Sequence, residues 1–90
     1  MSNQYVPYIT DNEEVKELIL EVWEHKDEGM HAWKQVTEGY VTIESENDGD
    51  EDFILVQIVD KIDFLGYPFG NVYGFDILYE DEIEKLKTTA

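Results

Sequence analysis

The spacing of the apolar residues changes near Gly39, and this change constrains the fold more than any other feature of the sequence. Before Gly39, apolar residues recur every three or four positions, which is the period of one helix face. They are Val15, Leu18, Ile19, Val22 and Trp23. Thr10 and Glu13 have the spacing of a capping box. We therefore predict a helix over about residues 11–27 that ends near Gly29.

Beyond Gly39 the chain is rich in β-branched and aromatic residues, which favour strands. Strands are predicted at residues 40–44, 53–59 and 72–79. Because residues 53–59 are almost all apolar, we expect a central strand that is covered on both faces. Residues 80–87 indicate one or two final helical turns.

Four other segments connect or precede these elements. Residues 1–9 resemble a short edge strand, although the proline in this segment removes one donor from its hydrogen-bond ladder. Residues 30–38 fit either a second short helix or an irregular approach to the sheet, and the sequence leaves both open. Turn residues cluster at 66–71. The acidic segment 45–52 contains a turn signal, and we expect it to be a flexible loop between the first two strands.

These elements predict one α+β domain that spans residues 1–90. In this fold an N-terminal amphipathic helix packs on a small antiparallel sheet of three or four strands. An SH3-like small barrel preceded by a helix is the alternative architecture. A chain of 90 residues suits one such domain with a modest core.

The charge of the chain is strongly unbalanced, with 22 Asp and Glu residues against six lysines and a formal net charge of −16. Nucleic acid and anionic lipid repel such a chain, so we expect no direct binding to nucleic acid or membranes. Its 42% content of hydrophobic residues is too high for a disordered chain. The sequence has no cysteine and no recognisable secretory signal, so a cytoplasmic location is expected.

The sequence contains no convincing pattern for catalysis or metal binding. Asp48, Asp50 and Asp52 have the spacing of the first three ligands of a calcium loop, but Phe53 stands where that loop needs glycine. The glycine motifs that bind phosphate and the motif of a serine nucleophile are missing. We therefore expect no enzymatic activity, no metal and no cofactor.

Negative charge is concentrated in residues 11–28 and 44–52, which each carry a net charge of −6. In the first segment, glutamates three and four residues apart form one row along a helix. Like charges at this spacing destabilise a helix by about 0.2–0.5 kcal/mol per pair, so the row is a candidate functional surface. A surface that serves solubility alone is the other interpretation. The candidate partner-binding residues are Glu14, Glu17, Glu21, Glu24, Glu28, Glu44, Glu46, Asp48, Asp50, Glu51 and Asp52.

In its lack of Arg and Cys, its glutamate row and its Glu44–Asp52 cluster, the chain resembles phage-encoded DNA-mimic proteins, which are acidic inhibitors. The resemblance is one of size and charge over the whole chain and rests on no motif. It implies a noncatalytic inhibitor whose carboxylates imitate duplex phosphates on the basic surface of a host DNA-binding protein. The nucleoid protein HU is one partner that the resemblance implies.

Two further hypotheses concern partners. A small acidic adaptor or regulatory subunit would bind a protein through the aromatic turn residues Tyr67, Phe69 and Tyr73 without mimicking DNA. Steep salt dependence and competition by DNA would distinguish a mimic from such an adaptor. Free sheet edges and 12 aromatic residues would also allow two copies to form a homodimer across a two-fold axis.

Overall fold

The computed structural model describes residues 12–37 and 39–88, so the predicted edge strand at 1–9 and the predicted Thr10 cap lie outside the described residues. The elements are helix α1 (Glu13–Glu24), a 3₁₀ turn (Lys26–Glu28), strands β1 (His31–Val36), β2 (Gly39–Asp48), β3 (Glu51–Ile62) and β4 (Pro68–Tyr79), and helix α2 (Glu80–Thr88). The predicted first helix, three strands and final helix are confirmed. The segment 30–38, which the sequence left open, contains β1.

Asn12 is the N-cap of α1, two residues later than predicted. Its backbone is extended, and its Oδ1 accepts hydrogen bonds from the amides of Glu14 (2.9 Å) and Val15 (3.2 Å). These two amides have no partner within the helix, so the Asn side chain satisfies them at the point where the apolar helical spacing begins. The helical segment ends at Gly29, as predicted, where a φ of 72° turns the chain toward β1.

The four strands form one antiparallel sheet in which each strand pairs with the next along the chain. This arrangement confirms the predicted α+β fold with an N-terminal helix on a small antiparallel sheet. In the described part of the chain, the edge strands β1 and β4 do not pair with each other. The sheet is therefore open and does not close into the alternative barrel.

One face of the sheet packs against α1 and α2, and this helix-covered face contains the core. Val15, Ile19 and Val22 of α1 are fully buried. They form one cluster with the sheet residues Val41, Ile43, Ile54, Val56, Ile58 and Leu78 and with Ile83 of α2. Complete burial of one such side chain contributes about 1.5–3 kcal/mol. The apolar spacing in the sequence therefore identifies the side of α1 that is buried.

The opposite face of the sheet has no described helix over it, and we call it the open face. The register places four rows of side chains across it: Gln35–Tyr40–Val59–Val72, Trp33–Thr42–Gln57–Phe75, His31–Glu44–Leu55–Ile77 and Glu46–Phe53–Tyr79. The prediction that residues 53–59 are covered on both faces holds at Val59, which is fully buried, but is wrong for Phe53, Leu55 and Gln57, which are only half-buried. Neighbouring side chains on the same face, rather than a second layer, provide this partial burial.

The β3–β4 hairpin bends across part of the open face. Two shifts of register next to Val59 interrupt the pairing of β3 with β4, and such bulges bend and twist a strand. The bend brings the β3–β4 turn (residues 63–67) onto β1. Gly66 has a φ of 90° and lies so close to the Trp33 ring that a side chain at this position would collide with it.

Replacement of Asn12 tests the cap of α1. Asn12→Ala is expected to lower the free energy of unfolding by about 0.5–2 kcal/mol, because two amides of the first turn lose their acceptor. Asn12→Ser retains an acceptor and should remain close to the wild type. Urea unfolding followed by circular dichroism measures both variants, and an equal loss in the two would contradict the capping role.

Candidate partner-binding surface

The predicted glutamate row lies on the solvent side of α1. Glu14, Glu17, Glu21, Glu24 and Glu28 are all exposed, whereas the apolar residues of α1 that face the sheet are buried. With a rise of about 1.5 Å per residue, the four glutamates on α1 span about 15 Å of helix axis. The 3₁₀ turn carries the fifth glutamate beyond the end of the helix.

Basic side chains of the same chain contact the two ends of this row. Glu14 forms an ion pair with Lys34 of β1, and the hydrogen bond from this ammonium group lowers the pKa of the Glu14 carboxyl. Glu28 Oε1 lies 3.3 Å from Nδ1 of His25. The three glutamates between them form no ion pair with any residue in the described ranges. Free negative charge is therefore concentrated in the middle of the row.

The second acidic segment, residues 44–52, forms a β-hairpin, and the prediction of a flexible loop is wrong. β2 continues to Asp48 and β3 begins at Glu51, so Gly49 and Asp50 form a two-residue turn. Gly49 has a φ of 71°, and glycine in the first central position suits a type II′ turn. Pairing between the strands therefore extends through a segment whose composition is typical of a loop.

The pairing within this hairpin separates its carboxylates. Asn47 and Asp52 are opposite each other, and Asn47 Nδ2 donates a hydrogen bond to Asp52 Oδ1 at 2.7 Å. Because successive side chains of a strand point to opposite faces, Glu44 and Glu46 lie on the open face and Asp52 lies on the helix-covered face. The six acidic residues of this segment thus do not form one cluster.

The tip of the hairpin lies beside the end of α1 and the start of α2. A cleft of about 320 Å³ is lined by Trp23, Lys26, Asp50, Glu51, Asp52 and Glu80. A second cleft, of about 370 Å³, is lined by Lys26, Asp27, Ser45, Glu46, Asn47 and Asp52. Glu24 is the last residue of α1 and belongs to the glutamate row. It lines a depression together with Trp23 and Lys26, which also line the first cleft. The glutamate row therefore continues into the hairpin.

Helix α2 adds carboxylates that the sequence analysis did not include. Glu80, Asp81 and Glu84 line a shallow depression together with Glu51 of the hairpin. β4 leads directly into α2, so the first turn of α2 lies at the same end of the sheet as the hairpin. A run of three acidic residues at 80–82, immediately after a predicted strand, was the signal that could have identified them.

We use the term acidic surface for the carboxylates that these contacts bring together. The cleft residues in it are Glu24, Asp27, Asp50, Glu51, Asp52, Glu80 and Asp81. We add Glu17 and Glu21, which continue the row along α1, and Asp48, which pairs with Glu51 in the hairpin. Lys26 lies among them, with its Nζ 4.4 Å from the centroid of the Trp23 ring. Lys87 lines the same depression as Glu24, with its Nζ 3.1 Å from Glu84, whereas Lys16 is buried beside Glu13. Negative charge therefore dominates this surface.

The β3–β4 turn forms a rigid apolar projection outside the acidic surface. The Asp63 carboxylate accepts hydrogen bonds from the amides of Leu65 (2.9 Å) and Tyr67 (3.0 Å). His31 holds the turn to β1, because its Nε2 lies 2.8 Å from the Leu65 carbonyl oxygen and its ring stacks on Tyr67 with 4.1 Å between centroids. Phe64 remains 95% exposed at the tip.

The aromatic residues predicted for an adaptor fall into two groups. Phe69 and Tyr73 are about three fifths exposed, whereas Tyr67 is more covered because it stacks on His31. Phe64 and Leu65 are not among the predicted aromatic contacts, although both are strongly exposed. Their place next to an Asp and a Gly, both typical turn residues, was the available signal.

Within the described residues, no group of three or more His, Asp or Glu side chains is arranged to hold a metal ion. No helix in those ranges has the length and apolar character needed to cross a membrane. No protein-family model, curated protein or solved structure matches the chain. Its surfaces are therefore the basis for assigning a function.

Glu44, like Glu14, lies outside the acidic surface and has a shifted pKa. Burial raises the pKa of Glu44, and a hydrogen bond with Glu46 and the negative charge of Glu46 raise it further, while nearby His31 has the opposite effect. The ionised form of Glu44 is therefore less favourable in the folded state than in the unfolded chain. This penalty is present above the folded pKa and disappears as the pH falls below the usual value of 4.5.

Glu44→Gln is expected to raise the melting temperature at pH 7.5, because it removes an unfavourable buried charge. The gain should shrink as the pH is lowered toward about 4, where Glu44 of the wild type is protonated. Glu51→Gln is the control, since it removes one negative charge from an exposed position on the same hairpin. An equal and pH-independent gain in both variants would show that only the net charge matters.

Proposed function

We propose that this protein is a noncatalytic DNA mimic that binds the basic DNA-binding surface of a bacterial nucleic-acid-binding protein and inhibits it by competition. It acts in the bacterial cytoplasm, and the nucleoid protein HU is the first partner to test. The observation that carries this proposal is the acidic surface, in which exposed carboxylates of α1, the hairpin and α2 adjoin one another around Lys26.

The spacing of the carboxylates supports the proposal. Successive glutamates of the row are three or four residues apart, which is about 5 Å along the helix axis. Phosphates of one DNA strand are about 3.4 Å apart along the duplex axis, which is a distance of the same order. Carboxylates, like phosphates, accept charge-assisted hydrogen bonds from arginine and lysine. A groove lined with these bases can therefore bind such a row.

The rigidity of the elements that carry the charge also supports it. The central glutamates are on a packed helix, and the remaining carboxylates are mostly on a paired hairpin or at the start of α2. Little conformational freedom is lost when such elements bind, which favours affinity. Long-range attraction between opposite charges would also accelerate the encounter with a basic partner.

Neutralisation of Glu17 and Glu21 tests the glutamate row. Glu17→Gln combined with Glu21→Gln should weaken binding to purified HU about twofold to thirtyfold at low salt, because two exposed ion pairs contribute about 0.4–2 kcal/mol. The measurement is displacement of a labelled DNA duplex from HU, followed by fluorescence anisotropy. The wild-type affinity should also fall steeply as salt is added.

A matched control separates the position of the charge from its amount. Thr37→Lys combined with Asn71→Lys raises the net charge by the same two units at exposed positions that lie outside both the acidic surface and the open-face rows. This variant should displace DNA almost as well as the wild type. Equal weakening in both double variants would contradict a specific role for the row, and failure of the wild type to displace DNA would exclude HU as the partner.

The adaptor hypothesis is retained as a second candidate because the β3–β4 turn is preorganised. Hydrogen bonds to Asp63 and contacts with His31 hold the turn, and Phe64 projects from it almost fully exposed. Insertion of a phenylalanine side chain into an apolar pocket contributes about 1.5–3 kcal/mol. A rigid turn that offers such a side chain can act as the anchor of a protein interface.

Capture of partners from nuclease-treated bacterial lysate distinguishes the two candidates. An adaptor should retain its partner at about 0.5 M salt, where charge interactions are strongly screened, and should lose it in Phe64→Ser combined with Leu65→Ser. A DNA mimic should retain its partner in this variant at low salt and lose it at high salt. A partner that is retained under all of these conditions would contradict both assignments.

A further inference from the structure

The structure separates its exposed apolar side chains from the acidic surface. The most exposed large apolar side chains of the described residues all lie on β1, the β3–β4 turn or β4, and none lies on α1 or α2. They are Trp33, Phe64, Leu65, Tyr67, Phe69, Val72, Tyr73, Phe75 and Tyr79. The acidic surface is on the helices and on the β2–β3 hairpin. The two kinds of surface therefore face largely different directions.

The open face is unusually apolar for the solvent-facing side of an antiparallel sheet. Such a face normally carries polar residues that alternate with the buried ones. Here Trp33 is 46% exposed, Val72 50%, Phe75 41% and Tyr79 37%. Contiguous apolar patches of this kind mark interaction sites on soluble proteins.

We propose that the open face binds the open face of a second copy of this chain, so that the protein is a two-fold symmetric homodimer. This inference does not depend on the proposed DNA mimicry, because it concerns the side of the sheet opposite the helices. In a two-fold dimer each copy contributes the same patch, which therefore has to be complementary to itself. A face made mainly of aromatic and aliphatic side chains meets this condition without any matching of charges.

The available area is sufficient for such a dimer. A large aromatic side chain has about 150–250 Å² of surface. The exposed parts of Trp33, Val72, Phe75 and Tyr79, together with the half-buried apolar residues between them, provide roughly 500–600 Å² per copy. A standard interface buries about 800 Å² per partner, of which about 65% is apolar in homodimers, or about 500 Å². One open face therefore provides the apolar area that each copy contributes to a homodimer interface of standard size.

The distribution of charge favours a second copy on this face despite the net charge of −16. Two copies that meet through their open faces keep α1 and α2, with most of the acidic surface, on the outer sides of the dimer. The charged groups of this face lie at its two ends: His31, Glu44, Glu46, Asp48 and Glu51 toward the hairpin, and Lys61, which pairs with Phe69, beyond the Val59 row. Pairing centred on the Trp33 and Val72 rows leaves them at the rim, where water solvates them.

Pairing through the sheet edges, which the sequence analysis had suggested, is less favourable than pairing through the face. In the edge strand β4, the Asp76 carboxylate accepts a hydrogen bond from the Ile77 amide at 2.8 Å. This amide is therefore already bonded within its own chain. The two shifts of register next to Val59 also distort β4. Bulges and acidic side chains of this kind are common means of preventing edge pairing.

Sedimentation equilibrium on the full chain tests the dimer. In about 0.5 M salt, where the Debye length is roughly 4 Å, the wild type should reach twice the chain mass of 10.6 kDa. Phe75→Glu places a charge in the apolar part of the open face and should reduce the mass to that of one chain, because the dissociation constant should rise at least about a hundredfold. Phe64→Glu makes the same chemical change at the tip of the β3–β4 turn, which lies against β1 but does not belong to the four rows, and should remain dimeric.

Circular dichroism verifies that each variant is folded, and Val72→Glu replaces Phe75→Glu if the latter unfolds. A wild type that remains monomeric up to a protein concentration of about 100 µM would overturn the proposal. Dissociation by Phe64→Glu but not by Phe75→Glu would also overturn it, because the turn would then be the interface. Association that increases without reaching a limiting mass would identify nonspecific aggregation and would likewise exclude the dimer.

Discussion

Packing of α1 on one face of the sheet is the interaction on which the rest of the structure depends. Val15, Ile19 and Val22 are fully buried there, in one cluster with residues of β2, β3 and β4. Because the helix has a single apolar side, this contact turns the glutamate row toward solvent and, in the described part of the chain, leaves the opposite face of the sheet without a helix over it. One hydrophobic contact therefore establishes the orientation of both the acidic surface and the open face.

The arrangement of charge makes a net charge of −16 compatible with folding. Lys16 and Lys34 are close to the core and pair with carboxylates at the start of α1, which reduces repulsion where the local dielectric constant is lowest. The carboxylates in the middle of α1 and at the hairpin tip remain in water, where salt screens their repulsion. The carboxylates that are available to a cationic partner are thus the ones whose mutual repulsion destabilises the fold least.

The acidic hairpin and β1 show where prediction from the sequence failed. Composition predicted a loop at residues 44–52, but the register between β2 and the apolar part of β3 extends the ladder to Asp48 and Glu51. Strand formation depends on a neighbouring strand as much as on local propensity, so a polar segment can be held in a sheet. The same reasoning applies to residues 31–36, whose pattern is ambiguous until β2 provides a partner.

The sequence alone determined the α+β class, the first helix, three of the strands and the glutamate row. These features depend on the spacing of residues that are close together in the chain, and the periods of helix and strand convert that spacing directly into faces. Only the tertiary structure decided that Glu24, Asp50 and Glu80 lie around Lys26, and that no helix within residues 12–37 and 39–88 lies over one face of the sheet. Both results arise from contacts between residues far apart in the chain, which local spacing does not specify.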